Sequence, residues 1–177
     1  MITREVKTTF DNGKVIISNQ ADAETFRQIG FGTKLDDKPD LALSSWEALY
    51  LLSSKRIIVS DGETEEELNF QSLLEKFRSE NNEIWTNYLV YRDLRRRGYV
   101  VREGAGWGIT FRVYSRGSYK KKAAKYLIFI TCEGNSVPIE KLREVLQLVQ
   151  GMKKELIIAV MDRRGEIVYY QLTTLNI

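Results

Sequence analysis

Lys125-Tyr126-Leu127-Ile128-Phe129-Ile130-Thr131-Cys132 is nearly all apolar, as expected of a strand covered on both faces. Pro138 then opens a helix whose apolar residues Ile139, Leu142, Val145, Leu146 and Val149 recur at helical spacing up to Gly151. Glu155–Met161 and Ile167–Leu172 read as two more strands, joined by the turn Asp162-Arg163-Arg164-Gly165. Upstream, Tyr99-Val100-Val101 and Ile109–Tyr114 are strands on either side of Glu103–Gly108. Before them, Ile84, Trp85, Tyr88, Leu89, Tyr91 and Leu94 fall at helical spacing, and Arg95-Arg96-Arg97-Gly98 closes that helix with cations and a terminal glycine. The expected fold is α/β of the α+β type, with a mixed β-sheet packed against helices in the carboxy-terminal half.

The front half follows similar rules. Val6–Phe10 and Lys14–Ile17 flank Asp11-Asn12-Gly13, a type I′ hairpin signal. Ala21–Ile29 reads as a short helix stopped by Gly30-Phe31-Gly32, and Lys34–Asp40 as a polar loop. Ser44 with Glu47 forms a capping box ahead of Ala48–Leu52. Arg56–Val59 is a strand, and Thr64 with Glu67 is read as a second capping box that starts the helix carrying Leu68, Leu73, Leu74 and Phe77. Two small domains are expected, residues 1–80 and 83–177, divided at the polar Ser79-Glu80-Asn81-Asn82, which would also serve as a helix–helix turn.

The chain has 177 residues and a net charge of +3, with 27 Lys and Arg against 24 Asp and Glu. The sum conceals an asymmetry. Residues 1–82 carry 10 cations against 15 anions and residues 83–177 carry 17 against 9, so the back half suits a polyanionic partner. The apolar runs are strand-length, so neither a membrane span nor a signal peptide is expected, and a cytoplasmic location is. One cysteine, Cys132, excludes a disulfide framework and a thiolate metal cluster. There is no histidine, which removes imidazole metal sites, Ser-His-Asp triads and the commonest neutral-pH general acid. Few carboxylates cluster in the basic half, so no metal and no cofactor is expected.

Glu103–Gly108 holds three glycines, but the residues after it read as a strand rather than a helix. It is therefore a tight turn and not a phosphate cradle. Arg95-Arg96-Arg97 suits either phosphates or the negative end of its own helix. Arg112 and Arg116 flank Tyr114, and Lys120, Lys121, Lys122 and Lys125 follow in a loop; this group is either a solubilising surface or a set of RNA phosphate contacts. Tyr114 and Lys154 form a possible metal-free pair, a phenolate base for a ribose hydroxyl and an ammonium for charge developing on phosphate.

Three stretches carry a resemblance: Leu41–Leu52, then Tyr91-Arg92-Asp93-Leu94-Arg95-Arg96-Arg97-Gly98-Tyr99-Val100-Val101, and Lys153–Asp162 with Gly165–Tyr170. Together with Gly104, Gly108 and Phe111-Arg112-Val113-Tyr114, they resemble the archaeal tRNA-splicing endonuclease family over most of the chain and in the same order. The resemblance implies metal-free excision of introns from precursor tRNA at bulge–helix–bulge structures, leaving 2′,3′-cyclic phosphate and 5′-hydroxyl ends. It also implies a catalytic tyrosine, histidine and lysine. Tyr114 and Lys154 occupy the first and last positions, and the histidine position falls near Ala123. Losing a general acid costs ~10²–10⁴-fold.

The implied role is an architectural subunit, paired in a heterotetramer with a histidine-containing catalytic paralogue and forming a homodimer at most when alone. The terminal strands supply the expected subunit interface through Leu156, Ile158, Val168 and Tyr170. Arg163-Arg164 stands where the family has an acidic inserting loop, which disfavours a self-assembled tetramer. The rival readings are an active homo-oligomeric nuclease using Tyr114 and Lys154, and an RNA-binding protein without nuclease activity.

Overall fold

The computed structural model describes residues 4–35 and 38–174. The chain divides into two compact units at Arg92/Asp93. That point lies inside a helix, Ile84–Arg96, rather than at the polar turn before it.

The first unit holds a six-stranded sheet. In chain order its strands are β1 (Val6–Asp11), β2 (Lys14–Ile17), β3 (Thr33–Lys34), β4 (Leu41–Leu43), β5 (Ile57–Asp61) and β6 (Glu67–Leu68), arranged β3-β4-β2-β1-β5-β6. Asn12 and Gly13 take positive φ, as the type I′ turn between β1 and β2 requires. Helices α1 (Gln20–Gln28), α2 (Ser45–Ser53) and α3 (Phe70–Glu80) are amphipathic and bury Phe26, Leu49, Leu51, Leu73 and Phe77. Glu47 is buried, and its Oε2 accepts from the backbone N–H groups of Ser44 and Gly32 at 3.0 and 3.1 Å. One carboxylate thus starts α2 and ties the preceding turn to it. Part of the polar loop expected over 34–40 lies outside the described residues, at 36 and 37.

The second capping box is a correction. Thr64 and Glu67 do not start a helix: Glu67 and Leu68 pair with Ser60 and Val59 as an edge strand, and α3 begins at Phe70. Asp61 accepts from the Glu63 N–H at 3.0 Å and Glu65 takes φ +61, which closes a hairpin loop. Asn69, whose Oδ1 accepts from the Ser72 N–H at 2.9 Å, is the real N-cap. Pairing along β5 satisfies the backbone around Leu68 better than a lengthened helix would.

The second unit is the mixed sheet expected of the basic half. Its strands are β7 (Val100–Gly106), β8 (Ile109–Tyr114), β9 (Tyr126–Cys132), β10 (Glu155–Met161) and β11 (Ile167–Leu172), in the order β11-β10-β9-β8-β7. Only β9 and β10 run parallel, and α5 (Ile139–Gly151) is the crossover between them. Val145, Leu146 and Val149 of α5 pack on Leu127, Phe129 and Leu156, and this cluster is the unit's core. The helix Ile84–Arg96, α4, contributes its last turn.

Candidate RNA-processing site

Strand directions gather the predicted residues at one end of the second sheet. Because β8 is antiparallel to β9 while β9 is parallel to β10, the end of β8 meets the beginnings of both partners. The Lys125 N–H donates to the Val113 carbonyl at 3.0 Å, and the Glu155 N–H donates to the Lys125 carbonyl at 3.1 Å. Tyr114 ends β8. Lys154 precedes β10, and its N–H donates to the Val149 carbonyl at 3.1 Å, so the same residue closes α5 and starts the strand.

A cavity of about 540 Å³ opens at this end, with Arg116, Lys122, Ala123, Lys125, Lys154 and Glu155 in its walls. The structure therefore brings together Lys154 and Ala123, near which the histidine position was expected. Tyr114 adjoins the wall residue Ser115 without lining the cavity, and its half-buried ring meets the Tyr119 ring edge-on at 5.1 Å. Tyr119 is a neighbour that the sequence reading missed; no spacing marks it, because the loop Ser115–Lys122 must fold back to place it. That folding rests on Ser118, whose carbonyl accepts from the N–H groups of Lys121 and Lys122 at 3.0 and 2.8 Å.

The predicted cations differ in what they do. Lys120, Lys121 and Lys122 are exposed on the loop. Lys125 lies 3.3 Å from a Glu155 oxygen and 4.7 Å from the Tyr126 ring centroid; the Tyr126 side chain, then Glu155, hold its ammonium above the ordinary lysine range. Arg112 donates from Nε to the Glu103 carbonyl at 2.8 Å. Arg116 donates twice to the Arg97 carbonyl, capping the end of α4. Arg97 itself donates to Asp93 Oδ2 at 2.7 Å and lies over the Tyr169 ring.

The four interface candidates separate in the same way. Leu156 is 1% exposed in the unit's own core and Ile158 packs against that core, whereas Val168 and Tyr170 on edge strand β11 are exposed. Among the described residues, no helix is long and apolar enough to cross a membrane.

The cavity concentrates positive charge against one carboxylate, so it can hold a phosphodiester by charge, while its walls offer no imidazole to protonate a leaving oxygen. The family model for the tRNA intron endonuclease catalytic C-terminal domain matches residues 84–169, and that for its N-terminal domain matches residues 6–74. The chain belongs to the tRNA intron endonuclease family. It is 34% identical over 137 residues to a tRNA-splicing endonuclease of Methanococcus vannielii, covering 77% of each chain. It is also 34% identical over 142 residues to that of Thermococcus onnurineus, covering 80% of each. A Methanosarcina acetivorans tRNA-splicing endonuclease matches 96% of this chain at 32% identity, but only 47% of its own length is covered.

Proposed function

We propose that this protein is a subunit of a tRNA-splicing endonuclease that excises introns from precursor tRNA, and that its role is architectural. One observation carries the reading: the chain has no histidine, and Ala123, near which the resemblance puts the family's histidine, lines the same cavity as Lys154. Tyr114 and Lys154 keep the places of base and phosphate-stabilising cation, but the leaving oxygen has no positioned acid. The retained cations, Arg112, Arg116, Lys120, Lys121, Lys122 and Lys125, are read as RNA contacts. The catalytic centres belong to a histidine-containing paralogue that joins this chain in a heterotetramer in the cytoplasm, through the β11 face bearing Val168 and Tyr170. The domains are taken as 1–80 and 83–177.

The test is cleavage of a bulge–helix–bulge precursor tRNA in the presence of EDTA, by this chain alone and mixed with the paralogue. Negligible cleavage alone and 2′,3′-cyclic phosphate products from the mixture are expected. Robust cleavage by the chain alone, abolished by Tyr114→Phe, would show instead an active enzyme working without histidine.

A further inference from the structure

The β7–β8 hairpin carries a feature that folding does not explain. Trp107 at its tip is 78% exposed and takes φ +59, between Gly106 at +82 and Gly108 at +83. A left-handed φ disfavours a bulky side chain, and tight hairpin turns favour Gly, Asn or Asp there. The chain is nonetheless closely approached at two nearby glycines. A Cβ on Gly104 would lie 2.0 Å from the Ile109 carbonyl oxygen, and one on Gly108 would lie 3.2 Å from the Phe129 ring. An indole is thus carried in a costly conformation at a hairpin tip, with little of its surface packed.

Its surroundings are cationic. Lys141, from the first turn of α5, reaches within 3.8 Å of the Gly108 Cβ position and lies 5.6 Å from the Phe129 ring centroid. It makes no ion pair among the described residues, although the exposed Glu140 and Glu144 share its helix. Arg102 and Arg112 sit directly opposite each other in the β7–β8 ladder, Arg112 with its Nε on the Glu103 carbonyl, and together they place two guanidinium charges on one stretch of the hairpin. Arg112 is two residues from Tyr114, so cations run along the hairpin from the candidate site toward the tip.

We propose that this hairpin binds single-stranded RNA, with the Trp107 indole stacked on a base and Lys141, Arg102 and Arg112 holding adjoining phosphates. This rests on the RNA-processing reading above and extends it to a second contact. β8 runs about 17 Å at 3.4 Å per residue, which places the tip at the opposite end of the strand from Tyr114. Ile139 on α5 is also strongly exposed, while the exposed Val168 and Tyr170 lie on β11, the far edge of the sheet from this hairpin. The apolar area of Trp107 and Ile139 is too small for the core of a protein interface, which buries about 800 Å² per partner, whereas one aromatic face among cations suits a stacked nucleotide.

The probe is an unstructured 12-nucleotide oligouridylate titrated into the full chain, read by fluorescence anisotropy of the labelled RNA and by quenching of tryptophan emission. Trp107→Ala is expected to weaken binding about tenfold and to abolish the quenching, leaving the emission of Trp46 and Trp85 unchanged. Trp107→Asn, which suits the left-handed backbone, is expected to lose the same affinity without loss of thermal stability. Trp107→Phe is expected to keep most of it. Replacing Arg102 and Arg112 by Gln is expected to lower the salt slope by about 0.7 for each phosphate left unneutralised, while quenching persists. If the wild type binds but Trp107→Asn binds equally well, the hairpin contact is overturned and the wider RNA reading stands. If the wild type binds no oligonucleotide, both fall. If Trp107 emission shifts with protein concentration alone, the tip meets a second copy and the proposal fails.

Discussion

Arg116 donates from Nε and Nη2 to the backbone carbonyl of Arg97, at 3.1 and 2.6 Å, so a side chain from the loop after β8 caps the end of α4. The approach is possible because Gly98 lies between them. A Cβ there would stand 2.5 Å from Arg116 Nε, and the residue's φ is +86. The Tyr99 N–H also donates to the Leu94 carbonyl at 3.1 Å, so the glycine closes a Schellman turn while leaving room for the guanidinium. Through this contact the helix end and the loop bordering the Ala123 cavity are held together.

Gly98→Ala is therefore expected to destabilise the fold by about 1–2 kcal/mol from the left-handed backbone alone, and to displace Arg116 as well. Arg116→Met removes the cap without the backbone cost. The two changes should be non-additive in urea unfolding, because the Cβ already expels the guanidinium. Additive costs would separate the glycine from the arginine.

Leu156 and Val168 test the division between the unit's own core and its free edge. Leu156→Ala opens a cavity beneath α5 and is expected to cost about 2–5 kcal/mol. Val168→Ala with Tyr170→Ser is expected to shift stability by about 0.5 kcal/mol or less for a surface site. In light scattering, the double variant should shift any homodimer toward monomer. A homodimer unchanged by it would place the interface elsewhere.

Lys120, Lys121, Lys122 and Lys125 are expected to lie against RNA phosphates. Changing all four to Ala should weaken binding of the assembled complex to precursor tRNA. Its salt slope should flatten by about 0.7–0.9 for each phosphate that is no longer neutralised. An unchanged slope would assign the loop to solubility.

Asp61 supplies a pH test in the first unit. The Lys76 ammonium, 2.7 Å away, holds its carboxyl below the ordinary 3.8, with help from the Glu63 N–H. A carboxylate favoured by folding contributes stability that is complete above its unfolded value and is lost as pH falls through the folded one. Lys76→Met should thus lower the urea midpoint near pH 7. The gap to wild type should close as pH drops below 3.8 toward 2. A gap constant down to pH 2 would show that packing, rather than charge, is what Lys76 contributes.

At the other end of the pH scale, burial and then the bond donated to Asp93 Oδ2 at 2.7 Å raise Tyr169 well above the ordinary phenol range. Its stabilisation is therefore present below pH 10 and lost above it. Phenolate absorbance should show Tyr169 titrating only on unfolding. Tyr169→Phe should remove that late step.

Local chemistry determined much of this protein. Asn12-Gly13 sets the first hairpin because few other residues accept its turn, and Pro138 and Gly151 bound α5 through backbone preferences that act within a few residues. The apolar run of β9 declares itself because a strand covered on both faces has no polar side to display, and Leu127, Ile128 and Phe129 are buried in succession. Absent histidine is likewise a fact of composition, and it limits the chemistry whatever the fold. Tertiary structure decided whatever depends on which distant residue arrives. Thr64 and Glu67 satisfy a capping pattern, yet pairing with β5 takes the chain first. Leu156 and Val168 look alike as strand residues, and only the position of α5 buries one and leaves the other exposed. Arg116 and Arg112 share a charge and a neighbourhood, but one meets a helix carbonyl and the other lies opposite Arg102. Residue type and spacing fix local backbone preferences, whereas burial and partner choice are properties of surfaces that exist only after the sheets close.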